Sequence, residues 1–302
     1  MSLTLPFSYE AAVVMVCLVC CLLAVLAAVR HKLGWVTGVV MAVLSCVLCM
    51  CCARGYYLLV AGSGYRFRLF PDAPYDYAFG GGVLGFLAAL ALTATICRKR
   101  FSLVADCFTP VGLLGIAGLR MAEALSDFGW GDMVDAAWLQ RYPFAIRNMY
   151  EEWCAAVFNL EALCALVILL ILLLAGTRLQ GRRLATGITW WAVTQIFCES
   201  LRVESIVWGF VRVQQLLSAI ILLVILLRGT LLLPPQSRKM TIPFWSGFVL
   251  GSAAVIFLEY AIDKMPWATW INYAVMAAVL LLMGCCVQRL IRPKQMQIET
   301  AV

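Results

Sequence analysis

Apolar residues run through this chain in long, nearly unbroken stretches, and the polar residues collect between them. This is neither the alternation of a half-buried strand nor the narrow apolar stripe of a helix on a soluble core. A helix needs about 20 mostly apolar residues to cross a bilayer. By that measure the pattern predicts nine spans, at roughly 8–29, 34–60, 79–97, 103–124, 152–176, 185–201, 212–233, 243–262 and 267–288. The first reads as an anchor and not as a cleaved leader, because Arg30, His31 and Lys32 follow it and no basic stretch precedes it. The expected fold is an all-α polytopic integral membrane protein of about nine transmembrane helices.

Composition narrows the classes. Of 302 residues, 64% are hydrophobic and 13% charged, whereas a soluble domain is about 25% charged. That excludes a soluble enzyme, a disordered chain and a secreted disulfide scaffold. The net charge of +7 is no nucleic-acid footprint; its distribution is what informs. Fourteen of the 23 Lys and Arg fall after spans 1, 3, 5, 7 and 9, where Asp106 and Glu299 are the only acids. The positive-inside rule makes that side cytoplasmic, with the N-terminus outside and the C-terminus inside. Most of the fourteen cysteines lie within apolar runs. Cys-x-x-Cys at 17–20 and 46–49 lacks the polar context of a zinc site, so these thiols read as small hydrophobes and no metal or cofactor is expected.

The remaining charges are more telling. Arg54, Arg120, Glu123, Glu161, Glu199, Arg202 and Glu259 lie in or at the edge of apolar runs. An ionisable group at bilayer depth is costly unless it is paired or lines a wet cavity. Two readings follow: pairwise neutralisation between helices, or a polar cavity for a charged ligand, with Arg54, Arg120 and Arg202 converging near the outer half. Glu259 stays open, with Arg54 and Lys264 as candidate partners. The outer stretches 61–78 and 125–150 read as loops, with interfacial helices among the options and Trp130, Trp138, Tyr142 and Tyr150 suited to the headgroup zone. Gly80, Gly81 and Gly82 open the third span and allow close backbone approach.

Four stretches together resemble the prolipoprotein diacylglyceryl transferase family of bacterial membranes. Cys52-Ala53-Arg54-Gly55-Tyr56-Tyr57 is similar to its Gly-Gly-Arg-Leu-Gly-Tyr, and Ala78-Phe79-Gly80-Gly81-Gly82-Val83-Leu84-Gly85 to its Ser-Phe-His-Gly-Gly-Leu-Ile-Gly. Ala105-Asp106, Pro110, Gly115, Arg120 and Trp130-Gly131 follow its third motif, and Glu199-Ser200-Leu201-Arg202-Val203-Glu204 with Gln215-Leu216-Leu217-Ser218 its fourth. Tyr150-Glu151 falls where the family has Leu-Tyr-Glu. The likeness covers about residues 35–225. It implies a seven-span core over 1–233, with 234–302 adding two spans and a short cytoplasmic tail. It implies transfer of a diacylglyceryl group from phosphatidylglycerol, or a related anionic phospholipid, to a lipobox cysteine at the signal-peptide region of a prolipoprotein. The place implied is the outer face of the bacterial inner membrane. Partners are then that lipid, the prolipoprotein and the bilayer, with no nucleic acid.

Such a reaction must hold a phosphate and remove a thiol proton. Arginine suits the first need because its planar fork meets phosphate oxygens bidentately. Arg120 matches the family's intramembrane arginine, and Arg54 and Arg202 come next. Their bland alternative is pairing with Glu199, Glu204 or Glu123. Tyr57, Gly80, Gly81, Gly82 and Gln195 complete the expected substrate-binding set. The second need is less well met: the family's His before its Gly pair is Gly80 here, its Asn three residues after the arginine is Glu123, and its Arg four residues before the Glu is Gln195. His31, the only histidine, is expected on the cytoplasmic face. Buried Glu123 or Glu199 is the candidate base, with Asp127 and Tyr77 behind them. Beside the transferase reading stand a catalytically altered phospholipid-binding paralogue and, from another class, a membrane transporter.

Overall fold

The structure is a computed structural model and describes residues 8–61, 77–126, 129–148, 150–203, 205–208, 211–265 and 269–291. Nine long helices are present among them: α1 (Tyr9–Arg30), α2 (Trp35–Ala61), α3 (Phe79–Ile96), α4 (Phe101–Ala122), α5 (Val157–Ala175), α6 (Arg183–Leu201), α7 (Val213–Leu231), α8 (Ile242–Lys264) and α9 (Thr269–Leu290). All but α6 are long and apolar enough to cross a membrane. The chain is thus an all-α polytopic membrane protein, close to the predicted spans. α6 stands apart because Thr186, Thr189, Gln195, Glu199 and Ser200 on it are buried polar groups. A helix shielded by protein does not have to present apolar side chains to lipid.

Much of the apolar surface faces outward, as a bilayer solvent allows: Val14, Leu18, Leu22 and Leu26 on α1 are all exposed. All fourteen cysteines are free. The Cys21 and Cys46 sulfurs, from α1 and α2, lie 3.5 Å apart.

The chain divides into two compact units. The first comprises residues up to Leu184 together with Leu201–Val213. Small residues bring its helices close. A Cβ on Gly81 would stand 2.7 Å from Tyr56 Cβ, and one on Gly85 2.7 Å from Cys49 Cα. α3 therefore lies directly on the α2 backbone, and this sets where α3 begins: Ala78 N–H donates to Ala53 O at 3.1 Å. Ala117 of α4 meets Ala162 and Ala165 of α5 in the same manner. A core of Ala28, Met41, Leu90, Val104 and Phe108 joins α1 to α4.

The segment between α4 and α5 is not helical over its described residues beyond the short turn Glu123–Leu125; it is built of turns and a hairpin. β1 (Ala145–Arg147) pairs antiparallel with β2 (Trp153–Ala155). Asn148 Oδ1 accepts from the N–H groups of Tyr150 and Glu152, which shapes the connection. The hairpin is anchored by Gly131 N–H to Ala155 O (2.8 Å) and Val134 N–H to Trp153 O (2.7 Å). Trp138, Tyr142 and Tyr150 are exposed there. A two-residue ladder, β3 (Val207–Trp208) with β4 (Val211–Arg212), follows α6. Most of the 61–78 stretch and of the 289–302 tail lies outside the described residues, as do Asp127 and Glu204.

The second unit comprises Ala185–Ser200 and residues from Gln214 on, and so contains α7, α8 and α9 with most of α6. Its polar contacts cluster at one end. Glu259 of α8 accepts from Gln215 Nε2 at 2.7 Å and from Ser200 Oγ. Tyr273 OH donates to Ser200 O at 3.4 Å.

The α2–α3 contact leaves no volume for a methyl group at position 85. Gly85→Ala should lower stability by about 1–3 kcal/mol, the usual effect of overpacking. Gly55→Ala, at an α2 position with nothing within 4 Å of the new carbon, should be neutral or stabilising by up to about 1 kcal/mol. Unfolding of the purified protein in detergent measures both.

Candidate functional site

α4 ends with Arg120, and the chain then tightens into a single turn at Glu123–Leu125. This places Glu123 one turn beyond Arg120, and Arg120 Nη1 donates to Glu123 Oε1 at 2.5 Å. α5 runs beside α4 and brings up Glu161, whose Oε2 meets Arg120 Nε. The stretch after α6 supplies Arg202. Its Nη2 lies 2.8 Å from both Glu123 Oε2 and Glu161 Oε2, and its Nε donates to Glu161 Oε1 at 3.2 Å. Two arginines and two glutamates thus form one closed quartet. The side chains of Arg120, Arg202, Glu161 and Glu123 are 2%, 8%, 4% and 14% exposed.

The neighbourhood holds the quartet in place. The Phe79 ring at the start of α3 lies under the Arg120 guanidinium, 3.7 Å from Cζ to the ring centre. That is a close cation–π contact in a desolvated setting. Trp130 O accepts from Val203 N–H at 3.1 Å, which ties the outer segment to the residue beside Arg202. Arg212 Nη1 donates to Arg202 O at 2.6 Å and to Ser205 Oγ at 2.8 Å. Gly129 passes over the cluster at φ +80°; a Cβ there would stand 2.5 Å from Glu123 Oε2 and 3.4 Å from Arg202 Nη2.

The predicted residues fare unequally. Arg120, Arg202 and Glu123 come together. Arg54 is buried on α2 with its guanidinium 5.6 Å from the centre of the Tyr57 ring. Gly80 and Gly81 are buried at the start of α3, and Gly82 has ordinary van der Waals room, 4.0 Å from Ala53 Cβ. In the second unit, Glu199 is fully buried and accepts from Gln195 Nε2 at 3.4 Å. Glu259 accepts from the neutral Gln215 and Ser200 described above. The two-toothed phosphate clamp expected of Arg120 is not open as such. Its Nε and Nη1 are committed to glutamates, and Nη2 is its one nitrogen without a protein contact among the described residues.

Glu161 was noticed in the sequence only as one intramembrane charge among several, yet it binds both arginines. Its signal was its setting, a lone carboxylate on α5, which has mean hydropathy 2.8 over its best window. Tyr9, at the start of α1, lies within electrostatic reach of Glu123 and Arg120 and was not picked out at all.

Helices of membrane-spanning length around a buried arginine–carboxylate centre define a polytopic membrane protein with an internal polar site, the class in which intramembrane charge marks function. Comparison with known sequences then gives the family. A profile of the prolipoprotein diacylglyceryl transferases matches residues 6–230, and the chain belongs to that family. It is 28% identical over 176 residues to the phosphatidylglycerol–prolipoprotein diacylglyceryl transferase of Clostridium kluyveri, covering 56% of this chain and 69% of the relative. The enzyme of the same description from Bacillus cytotoxicus is 27% identical over 177 residues, covering 55% and 66%. That of Legionella pneumophila (strain Paris) is 31% identical over 134 residues, covering 44% and 52%.

Removing one member of the quartet leaves the others buried and unbalanced. Glu161→Gln should cost about 3–5 kcal/mol, the range for breaking a buried pair from one side. Glu123→Gln, at the more exposed corner, should cost less. Denaturant unfolding of the two variants in the same detergent checks the order.

Proposed function

We propose that this chain transfers the diacylglyceryl group of a glycerophospholipid to the thiol of a lipobox cysteine in a prolipoprotein, at the outer face of the bacterial inner membrane. Phosphatidylglycerol is the donor in the names of the relatives. The observation that carries the reading is Arg120: it matches the family's intramembrane arginine and keeps a buried, uncommitted Nη2 within the family-matched stretch.

The chemistry follows from the groups. The cysteine sulfur bonds to the glycerol carbon that bears the phosphate, the carbon–oxygen bond to that phosphate breaks, and the headgroup leaves as a phosphate monoester. Arg120 Nη2 stabilises the charge that grows on the leaving phosphate, in a site with little water to compete. The thiol proton must pass to a base. Glu123 is poorly suited, because each of its oxygens already holds a guanidinium group. Glu199 is the base we assign, with Gln195 orienting it. Arg54, Tyr57 and the glycines at the start of α3 serve the lipid. α8 and α9, beyond the matched 6–230, are an addition to the family core.

One observation favours the paralogue reading. Glu123 and Glu161 already neutralise both arginines, while Gly80 and Gln195 stand where the family has His and Arg. Transfer of labelled diacylglyceryl to a lipobox peptide, with complementation of cells depleted of their own transferase, decides between the two.

For a transferase, Arg120→Ala should lower the transfer rate by about 10²–10³, the effect of losing one preorganised donor. Arg120→Lys should also fail, since a point charge cannot meet two glutamates and a phosphate at once. Gly80→His should raise the rate by supplying a group that titrates near neutrality. An inert Gly80→His, together with an Arg120→Ala that lowers only protein abundance, would hand the site to the paralogue reading.

The basic residues support an orientation with the N-terminus outside and the C-terminus cytoplasmic. A reporter fused after Lys239 should read cytoplasmic and one inserted near Asp135 external; the reverse at both positions would overturn the orientation.

A further inference from the structure

The quartet is balanced one for one, Arg120 and Arg202 against Glu123 and Glu161. A phosphodiester arriving there meets no net positive charge. It meets one buried donor, Arg120 Nη2, beside a carboxylate with acceptor capacity to spare. An ionised carboxylate offers about four lone-pair sites. Three arginine contacts converge on Glu161: Arg120 Nε and Arg202 Nη2 on one oxygen and Arg202 Nε on the other. Glu123 receives one on each oxygen and is the more exposed of the two, 14% against 4%. Gly129 keeps the flank of Glu123 Oε2 clear of any side chain. The open corner of the quartet therefore shows an unused donor and an under-used acceptor together.

We propose that this corner takes a phospholipid whose headgroup joins its phosphate to an ammonium group, the phosphate on Arg120 Nη2 and the ammonium on Glu123. The inference rests on the transferase reading and narrows its donor. A headgroup that ends in hydroxyls brings an uncompensated negative charge beside Glu123, and in a site with little water that repulsion is weakly screened. A zwitterionic headgroup matches the balanced quartet. The transfer step keeps its balance: sulfur bonds to the glycerol carbon, the carbon–oxygen bond breaks, the thiol proton goes to the base, and the ammonium-bearing phosphate monoester leaves. A neutral amide at position 123 removes one negative charge, leaves the cluster at +1, and turns the preference toward anionic lipid.

The test uses the full-length protein with phosphatidylethanolamine and phosphatidylglycerol of identical acyl chains, in equal amounts. Retained lipid is counted by native mass spectrometry, and transfer from each lipid to a lipobox peptide is followed in parallel. The expected result is a preference of about tenfold for the ethanolamine lipid, equivalent to about 1.4 kcal/mol, which reverses in Glu123→Gln. Thermal unfolding confirms that the variant is folded, and Glu123→Asn provides a second neutral substitution should Gln disturb the cluster. Equal or better retention of phosphatidylglycerol by the unaltered chain, or the same ratio in folded neutral variants, overturns the inference. Transfer from phosphatidylglycerol alone overturns it and leaves the transferase reading standing. Failure of both lipids to bind and to react overturns the two together.

Discussion

Charge that cannot reach water must find charge of the opposite sign, and in this protein four such groups find one another. An ion pair in an apolar interior repays desolvation only when the geometry is close and the remaining lone pairs are met. The quartet meets that condition by drawing on three segments far apart in sequence: the end of α4, the early turns of α5 and the stretch after α6. The Phe79 ring under Arg120 extends the constraint to α3, and the glycines of α3 extend it to α2. The helix order around the site therefore follows from where two arginines must be neutralised.

The spans were legible because the bilayer imposes a length on each apolar run, and that length survives errors of several residues at either end. α6 was placed by its position between two basic loops more than by its hydropathy, which its buried threonines, Gln195 and Glu199 dilute. Arg120 and Glu123 could be paired from sequence because three residues make one helical turn. Glu161 could not, since both of its partners come from other segments and nothing local announces them. The hairpin after α4 was hidden for a related reason. Its strands are three residues each, too short to show alternation, and Asn148 and Gly131 hold them through backbone contacts that composition does not encode.

The second unit shows how the chain extends beyond its family core. Glu259 sits on α8, past the matched stretch, yet it accepts from Ser200 and Gln215, both inside it. The bond ties added helices to inherited ones through a carboxylate satisfied by neutral donors. Gln288 on α9 makes a second such tie, donating to Thr186 on α6 at 2.9 Å. Polar bonds of this kind hold helices together where apolar side chains gain nothing by leaving lipid for protein.

The quartet also sets an order of assembly. The chain is made from its N-terminus, so Arg120 and Glu123 enter the membrane before Glu161, and Arg202 is synthesised a further 41 residues after Glu161. Until Arg202 arrives, the nascent bundle holds one arginine against two glutamates. α4 and α5 must then pass into lipid as a pair, with Arg120 shared between the two acids and an excess negative charge awaiting its partner. Handover from the insertion machinery is complete only when residues 201–213 reach the outer end of these helices, so the release of early helices is timed by a residue on a late one.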